Sequence, residues 1–254
     1  MSDFDRNYAA ARRGVGADRA VAIDQGLRAY MIRVYNYMAM GVALTGITSW
    51  LTFQAAVVTD ANGAIVGLTS FGQMVFSGPA VLVLFLGTLG LVFLISWRID
   101  RLAPSTAFAL FMLYAALLGL MLSSIFLAYT LTSITRVFFI SAASFGALSL
   151  YGYTTQRDLS PIGSFLFMGM IGLFIAMLVN VFLKSSGLDF VISAAGVLIF
   201  AGLTAWDTQR IKEMYDPMED GTIVGRKAVM GALSLYLDFI NLFLFLLRFV
   251  GDRR

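Results

Sequence analysis

The chain has 254 residues, 59% of them hydrophobic and 13% charged, with a formal net charge of +3 and neither cysteine nor histidine. Without cysteine there are no disulfides, thiol nucleophiles or thiolate metal sites; without histidine there is no His-containing triad or zinc motif and no ordinary proton acceptor near neutral pH. The basic residues track the ends of apolar segments and form no groove with aromatics, so nucleic acid is not an expected partner.

In chain order, residues 1–29 come first, with Arg6, Arg12, Arg13, Arg19 and Arg28 among alanines and polar side chains. They have no apolar core and no apolar run directly after the start, which predicts a mobile cytoplasmic tail and not a cleavable signal. Residues 30–254 then form one transmembrane domain. Its apolar segments are expected at 34–57, 78–97, 105–127, 137–154, 163–183, 190–209 and 228–250. About 20 such residues cross a hydrocarbon core of about 30 Å at about 1.5 Å each. Barrel strands would alternate polar and apolar residues, so these uninterrupted runs predict helices. The expected fold is an all-α membrane protein of seven transmembrane helices.

Arginine and lysine set the orientation. With the N-terminus in the cytoplasm, that side holds Arg6, Arg12, Arg13, Arg19, Arg28, Arg33, Arg98, Arg101, Arg157, Arg210, Lys212, Arg226 and Lys227. The other side holds only Arg136, Lys184, Arg248, Arg253 and Arg254 of the 18 basic residues, and the long loop 59–77 holds none. The positive-inside rule then places the N-terminus in the cytoplasm. The basic C-terminal tail leaves a re-entrant last segment as the alternative to seven full crossings.

Two acidic residues lie inside the apolar segments, Asp207 in the sixth and Asp238 in the seventh. A carboxylate in hydrocarbon costs about 2.5–3.5 kcal/mol on insertion scales, so such residues face a partner, a cavity or an ion path. Ser234, Asp238 and Asn241 form one polar stripe at i−4, i and i+3, and Thr204 shares the face of Asp207. The plain reading of these groups is hydrogen-bonding glue between helices. Ionisable aspartates are dearer than glue requires, which favours ion or proton handling. Counted at about 1.5 Å per residue from the segment starts, Asp207 lies about 26 Å from the outer face and Asp238 about 15 Å from the cytoplasmic face. Contact between them requires a deeper sixth helix or water entering from the cytoplasm.

Other signals are softer. Gly163, Gly169, Gly172, Gly196 and Gly202 permit close helix approach. Trp50, Trp97 and Trp206 fall toward segment ends, where indoles favour the interface. The acidic stretch 215–225 lacks the ligand spacing of a calcium loop and is expected to be a solvated connector.

The run Leu235-Tyr236-Leu237-Asp238-Phe239-Ile240-Asn241-Leu242-Phe243, with Leu246-Leu247-Arg248, closely resembles the last-helix signature of the Bax inhibitor-1 family. Trp206-Asp207-Thr208-Gln209 looks like its sixth-helix motif, where many members carry tyrosine at the Trp206 position. Val34-Tyr35-Asn36-Tyr37-Met38 and Thr155-Gln156-Arg157-Asp158-Leu159-Ser160 are similar to bacterial members. The resemblance implies seven helices with six around a central last helix, in a bacterial inner membrane. It also implies a calcium leak controlled by pH, with Asp207 and Asp238 as the proton-sensing pair and transient calcium site. A basic residue at the end of the second helix, Arg98 or else Arg101, is then expected to engage the aspartates. Thr204, Ser234 and Asn241 support the pair. No resident cofactor and no enzymatic activity are implied, since the surroundings do not resemble an intramembrane aspartyl protease. The alternative is a membrane interaction protein that restrains a membrane protease or another membrane partner.

Overall fold

The computed structural model describes residues 24–60 and 64–254. Most of the expected tail, and the tip of the 59–77 loop, lie outside the described residues. Helix α1 (Asp3–Ala56) is described from residue 24, so residues 24–29 are already helical, and Tyr30 and Met31 are buried in the core. The expected first segment is the second half of this helix.

A short antiparallel hairpin follows, β1 (Val57–Thr59) with β2 (Ile65–Leu68), pairing Val57 with Leu68 and Val58 with Gly67. Thr69 closes it onto α1: its N–H donates to the Ala56 carbonyl at 3.0 Å and its hydroxyl to the Ala55 carbonyl at 2.8 Å. The same hydroxyl caps α2 (Ser70–Val75), accepting from the Gly72 N–H. This ordered cap on the long loop went unread in the sequence.

Six helices among the described residues are long and apolar enough to cross a membrane. They are α3 (Gly78–Arg98), α4 (Pro104–Leu122) with its short continuation α5 (Ile125–Ala128), α6 (Leu131–Thr154), α7 (Ser160–Leu183), α8 (Ser186–Glu213) and α9 (Gly221–Val250). Their starts are marked by local chemistry. Ser77, Thr130 and Ser185 cap α3, α6 and α8 with their hydroxyls, and prolines open α3, α4 and α7. Lys184, at a left-handed φ of 49°, ends α7 and turns the chain directly into α8.

Two-thirds (67%) of the most apolar stretch of α9 is buried, against 6% for α7 and 11% for α3. α9 packs on α1, α4, α6 and α8, whereas α3 and α7 lie on the outside and present exposed Phe93, Phe165 and Phe182. An apolar exterior of this kind is what hydrocarbon solvates. Polar ties hold the interior. The Tyr236 phenol of α9 meets Thr45 Oγ1 of α1 at 2.6 Å, and Thr45 is also within reach of the Ala115 carbonyl of α4 at 2.9 Å. Ser149 of α6 and Thr208 of α8 are 3.2 Å apart.

The last segment, α9, is an unbroken helix of 30 residues, with no break at which it could double back. The tail beyond it docks at the end of the bundle where α6 and α8 begin. There Thr130 donates to the Asp252 carbonyl, Arg254 to the Ala128 carbonyl, and Asp252 N–H to Ser133 Oγ. Arg248 and Arg253 both pair with Asp189 at the start of α8. The turn between α8 and α9 lies at the opposite end.

Candidate functional site

The two aspartates meet because α8 runs further than its apolar run. It continues through Arg210, Lys212 and Glu213, four residues past the expected end at 209. Lys212 Nζ donates to the Tyr153 carbonyl at 2.9 Å, and Gln209 spans to the next connection. Its Oε1 accepts from Leu159 N–H and its Nε2 donates to the Arg157 carbonyl, both at 2.8 Å. α9 likewise begins at Gly221, seven residues before the expected start. Lys227 Nζ reaches the Met214 carbonyl at 2.8 Å and both Glu219 carboxylate oxygens at 2.6 Å. The 215–225 connector is therefore pinned and partly helical. Ile211 against Gly231 and Gly196 under Phe245 fix the register of the pair. This deeper seat for α8 resolves the depth mismatch in the sequence count.

In that register the Asp207 and Asp238 carboxyls line the same cavity and act electrostatically on each other. A carboxylate has no donor, so a hydrogen bond between two such groups would require a proton on one of them. Asp238 is only 5% exposed, which leaves it out of contact with bulk water, and its Oδ2 is buried without a hydrogen-bond partner among the described residues. Asp207 is half-buried. Both line a cavity of about 530 Å³ between α7, α8 and α9, walled by Phe167, Met170 and Phe174 from α7 and by Phe200, Leu203 and Trp206 from α8. Ser234 and Asn241 line it from α9, so three members of the expected stripe converge there. Asn241 Nδ2 itself donates to the Leu237 carbonyl one turn back at 2.8 Å, leaving its amide oxygen for the cavity.

Other expected members are placed elsewhere. Thr204 is fully buried and donates to the Phe200 carbonyl of its own helix, so its hydroxyl serves the α8 backbone. Arg98 is exposed at the end of α3, and among the described residues no ion pair joins it or Arg101 to either aspartate. Arg248, on the same side of α9 as the stripe, is engaged by Asp189.

The cation that the structure does bring to the pair is Arg210. It lies one turn after Asp207, lines the same cavity, acts electrostatically on the Asp207 carboxyl, and places its guanidinium 5.5 Å from the centroid of the Trp206 ring. Trp206 is seated against α7 because position 163 is glycine, where any Cβ would collide with the indole. Indole is the strongest cation–π partner among the aromatic side chains, so tryptophan at this position holds the arginine at the cavity mouth. The i+3 spacing from Asp207 was the available signal for Arg210; its place at the edge of an apolar run made it look like a boundary charge. Among the described residues no cluster of three or more acidic side chains suits a resident metal.

Comparison with known proteins agrees with these motifs. The sequence model of the family described as inhibitor of apoptosis-promoting Bax1 matches residues 27–254. The chain is 45% identical over 241 residues to the inner membrane protein YbhL of Escherichia coli strain K12, covering 94% of this chain and 97% of that one. It is 46% identical over 231 residues to an uncharacterized protein of Rickettsia prowazekii, covering 91% and 92%. An uncharacterized membrane protein of Streptococcus pyogenes is 38% identical over 228 residues, covering 90% and 94%. With its six long apolar helices and its coupled motifs on α8 and α9, the chain is a multi-pass membrane protein belonging to the Bax inhibitor-1 family.

Proposed function

We propose that this protein is a pH-sensitive leak pathway for calcium or a similar cation, gated by the Asp207–Asp238 pair. The observation that carries the reading is the meeting of two interacting carboxyls in the apolar part of the bundle, at the wall of one cavity. Two aspartates are a costly way to join helices. This bundle already joins them with neutral groups, Thr45 with Tyr236 and Ser149 with Thr208. The pair is therefore better explained by its charge than by its grip.

Carboxyls this close cannot both ionise cheaply, so they share a proton and titrate as one unit. Gain or loss of that proton changes the charge facing the cavity and turns the contact between α8 and α9 from attraction to repulsion. Arg210 offsets part of the negative charge from the cavity mouth. Hard oxygens suit calcium, but two carboxylates fall short of its usual 6–8 ligands, so the ion is passed and not stored. Ser234 and Asn241 supply further oxygens along the same wall.

The reading carries an architecture with it. The second half of α1 makes the first of seven crossings, α9 is the central helix, and the N-terminus is cytoplasmic. Inner membrane protein is what the E. coli relative is called, and the same location is proposed here. The protein is proposed to act without a resident cofactor and not as an enzyme. Calcium-indicator flux into liposomes holding the purified protein, taken across pH, tests it: flux with a pH transition supports the leak. No flux above empty liposomes removes it in favour of a membrane interaction protein acting on a protease or another membrane partner.

A further inference from the structure

α1 and α6 both pack on α9 but scarcely on each other, and the gap between them is a slot. One cavity of about 570 Å³ is lined by Arg28, Tyr35, Phe145, Gly146, Ser149 and Tyr153. A second, of about 580 Å³, joins it at Phe145 and continues along Met38, Ala39, Val42 and Ala43 over Phe239. From Arg28 to Ile47 the slot runs about 28 Å at the helical rise of about 1.5 Å, deep enough for an acyl chain of one leaflet, which has about 15 Å of hydrocarbon.

Its chemistry changes along that length. The inner part is apolar, and a Cβ on Gly146 would meet nothing, so the floor there is open. The mouth is polar and basic. Arg28 is exposed there, Tyr35 and Tyr153 bring phenols, and Lys212 sits beside Tyr153, its ammonium 5.5 Å from the ring centroid. Charged mouth and apolar slot together match one amphiphile with an anionic head and a hydrocarbon chain.

We infer that the α1–α6 slot is a binding site for an anionic phospholipid, with the phosphate at Arg28 and Tyr153 and one acyl chain lying over Phe145 and Phe239. Basic pockets between helices at a membrane surface bind such headgroups, at roughly 1 kcal/mol per Lys or Arg, or about fivefold in affinity. A transmembrane helix of a partner is a poorer occupant. A cylinder about 10 Å across fills roughly 2,200 Å³ over the same 28 Å, about twice the two cavities of about 570 and 580 Å³ taken together. The site is independent of the aspartate pair, which lies on the other side of α9 between α7 and α8.

The test uses the full chain, purified in detergent and stripped of lipid, with phosphatidylglycerol or phosphatidylcholine of the same chains added back. Native mass spectrometry reads how much of each stays bound. The wild type is expected to retain phosphatidylglycerol at least fivefold better. Arg28→Ala is expected to lower that preference about fivefold while leaving the protein folded, since Arg28 is exposed. Gly146→Leu fills the slot and is expected to exclude both lipids, whereas Gly172→Leu, at an equally open position on α7, leaves retention unchanged. Equal retention of the two lipids by wild type, or unchanged retention in Gly146→Leu, overturns the proposal. Gly146→Cys that crosslinks to a second copy in the membrane also overturns it, by showing that another protein chain covers the slot.

Discussion

Thr45 and Tyr236 give an asymmetry that can be worked out in advance. The Thr45 hydroxyl has one proton, directed to the Gly41 or Ala115 carbonyl at 3.0 or 2.9 Å, so the phenol of Tyr236 is the donor in their 2.6 Å contact. Tyr236→Phe removes that donor and leaves Thr45 with a carbonyl still to serve. The expected cost is about 0.6–1.7 kcal/mol, the range found for interhelical hydrogen bonds in membranes. Thr45→Val keeps the shape but leaves the phenol, at 0% exposure, without an acceptor. That orphaned donor costs about 1–3 kcal/mol. The double substitution removes both partners and is expected to cost less than the two singles added, by at least about 0.5 kcal/mol. Unfolding in mixed detergent and dodecyl sulfate measures all three. Tyr236→Phe costing more than Thr45→Val, or strict additivity, refutes the assignment. The tie bears on the site because Asp238 lies two residues on from Tyr236, on nearly the opposite face of α9, so it holds the angle at which that carboxyl meets α8.

Three further outcomes are expected. Arg210→Gln removes the cation that shares the cavity with Asp207 and moves the pH midpoint of cation flux upward, since a cation favours the ionised pair; an unmoved midpoint would show that Arg210 is screened from it. With no native cysteine to interfere, a reagent that cannot cross the membrane labels Asn62→Cys in intact cells and misses Asp158→Cys, and the reverse pattern overturns the orientation. Asp158 is exposed, and its carboxyl is held below the ordinary range by the Ser160 backbone N–H it accepts at 2.9 Å. A lowered folded value means that the stabilisation is present above the unfolded value and is lost as pH falls through the folded one. Hydrogen exchange at Ser160 is therefore expected to accelerate in acid, and Asp158→Ala to remove that pH dependence.

The apolar runs made the helices from α3 to α9 legible, because hydrocarbon forces the backbone to satisfy itself. Their ends were less legible where charge continues a helix. Arg210, Lys212 and Glu213 look like a loop, yet Gln209 binds the Arg157 carbonyl of the α6–α7 connection and Lys212 the Tyr153 carbonyl at the end of α6, which carry α8 onward. Gly221 to Lys227 read as connector for the same reason, although Lys227 is anchored to Glu219 and Met214. The aspartates stood out because acids are rare in such segments. Which of their neighbours would face the cavity was only half readable. Ser234 and Asn241 do, whereas the Thr204 hydroxyl is spent on its own helix. The reach of Tyr236 to Thr45, 191 residues away in sequence, is a packing fact that no local pattern contains.

The central claim is that Asp207 and Asp238 act as one titrating unit, and the most direct measurement is calcium flux into proteoliposomes across pH for Asp207→Asn, Asp238→Asn and the double variant. Asparagine keeps the shape and removes one titrating group. The account predicts that either single change abolishes or strongly displaces the pH transition and that the double change adds little beyond it. Single variants that keep the wild-type pH profile would contradict it and leave the two carboxyls as helix glue.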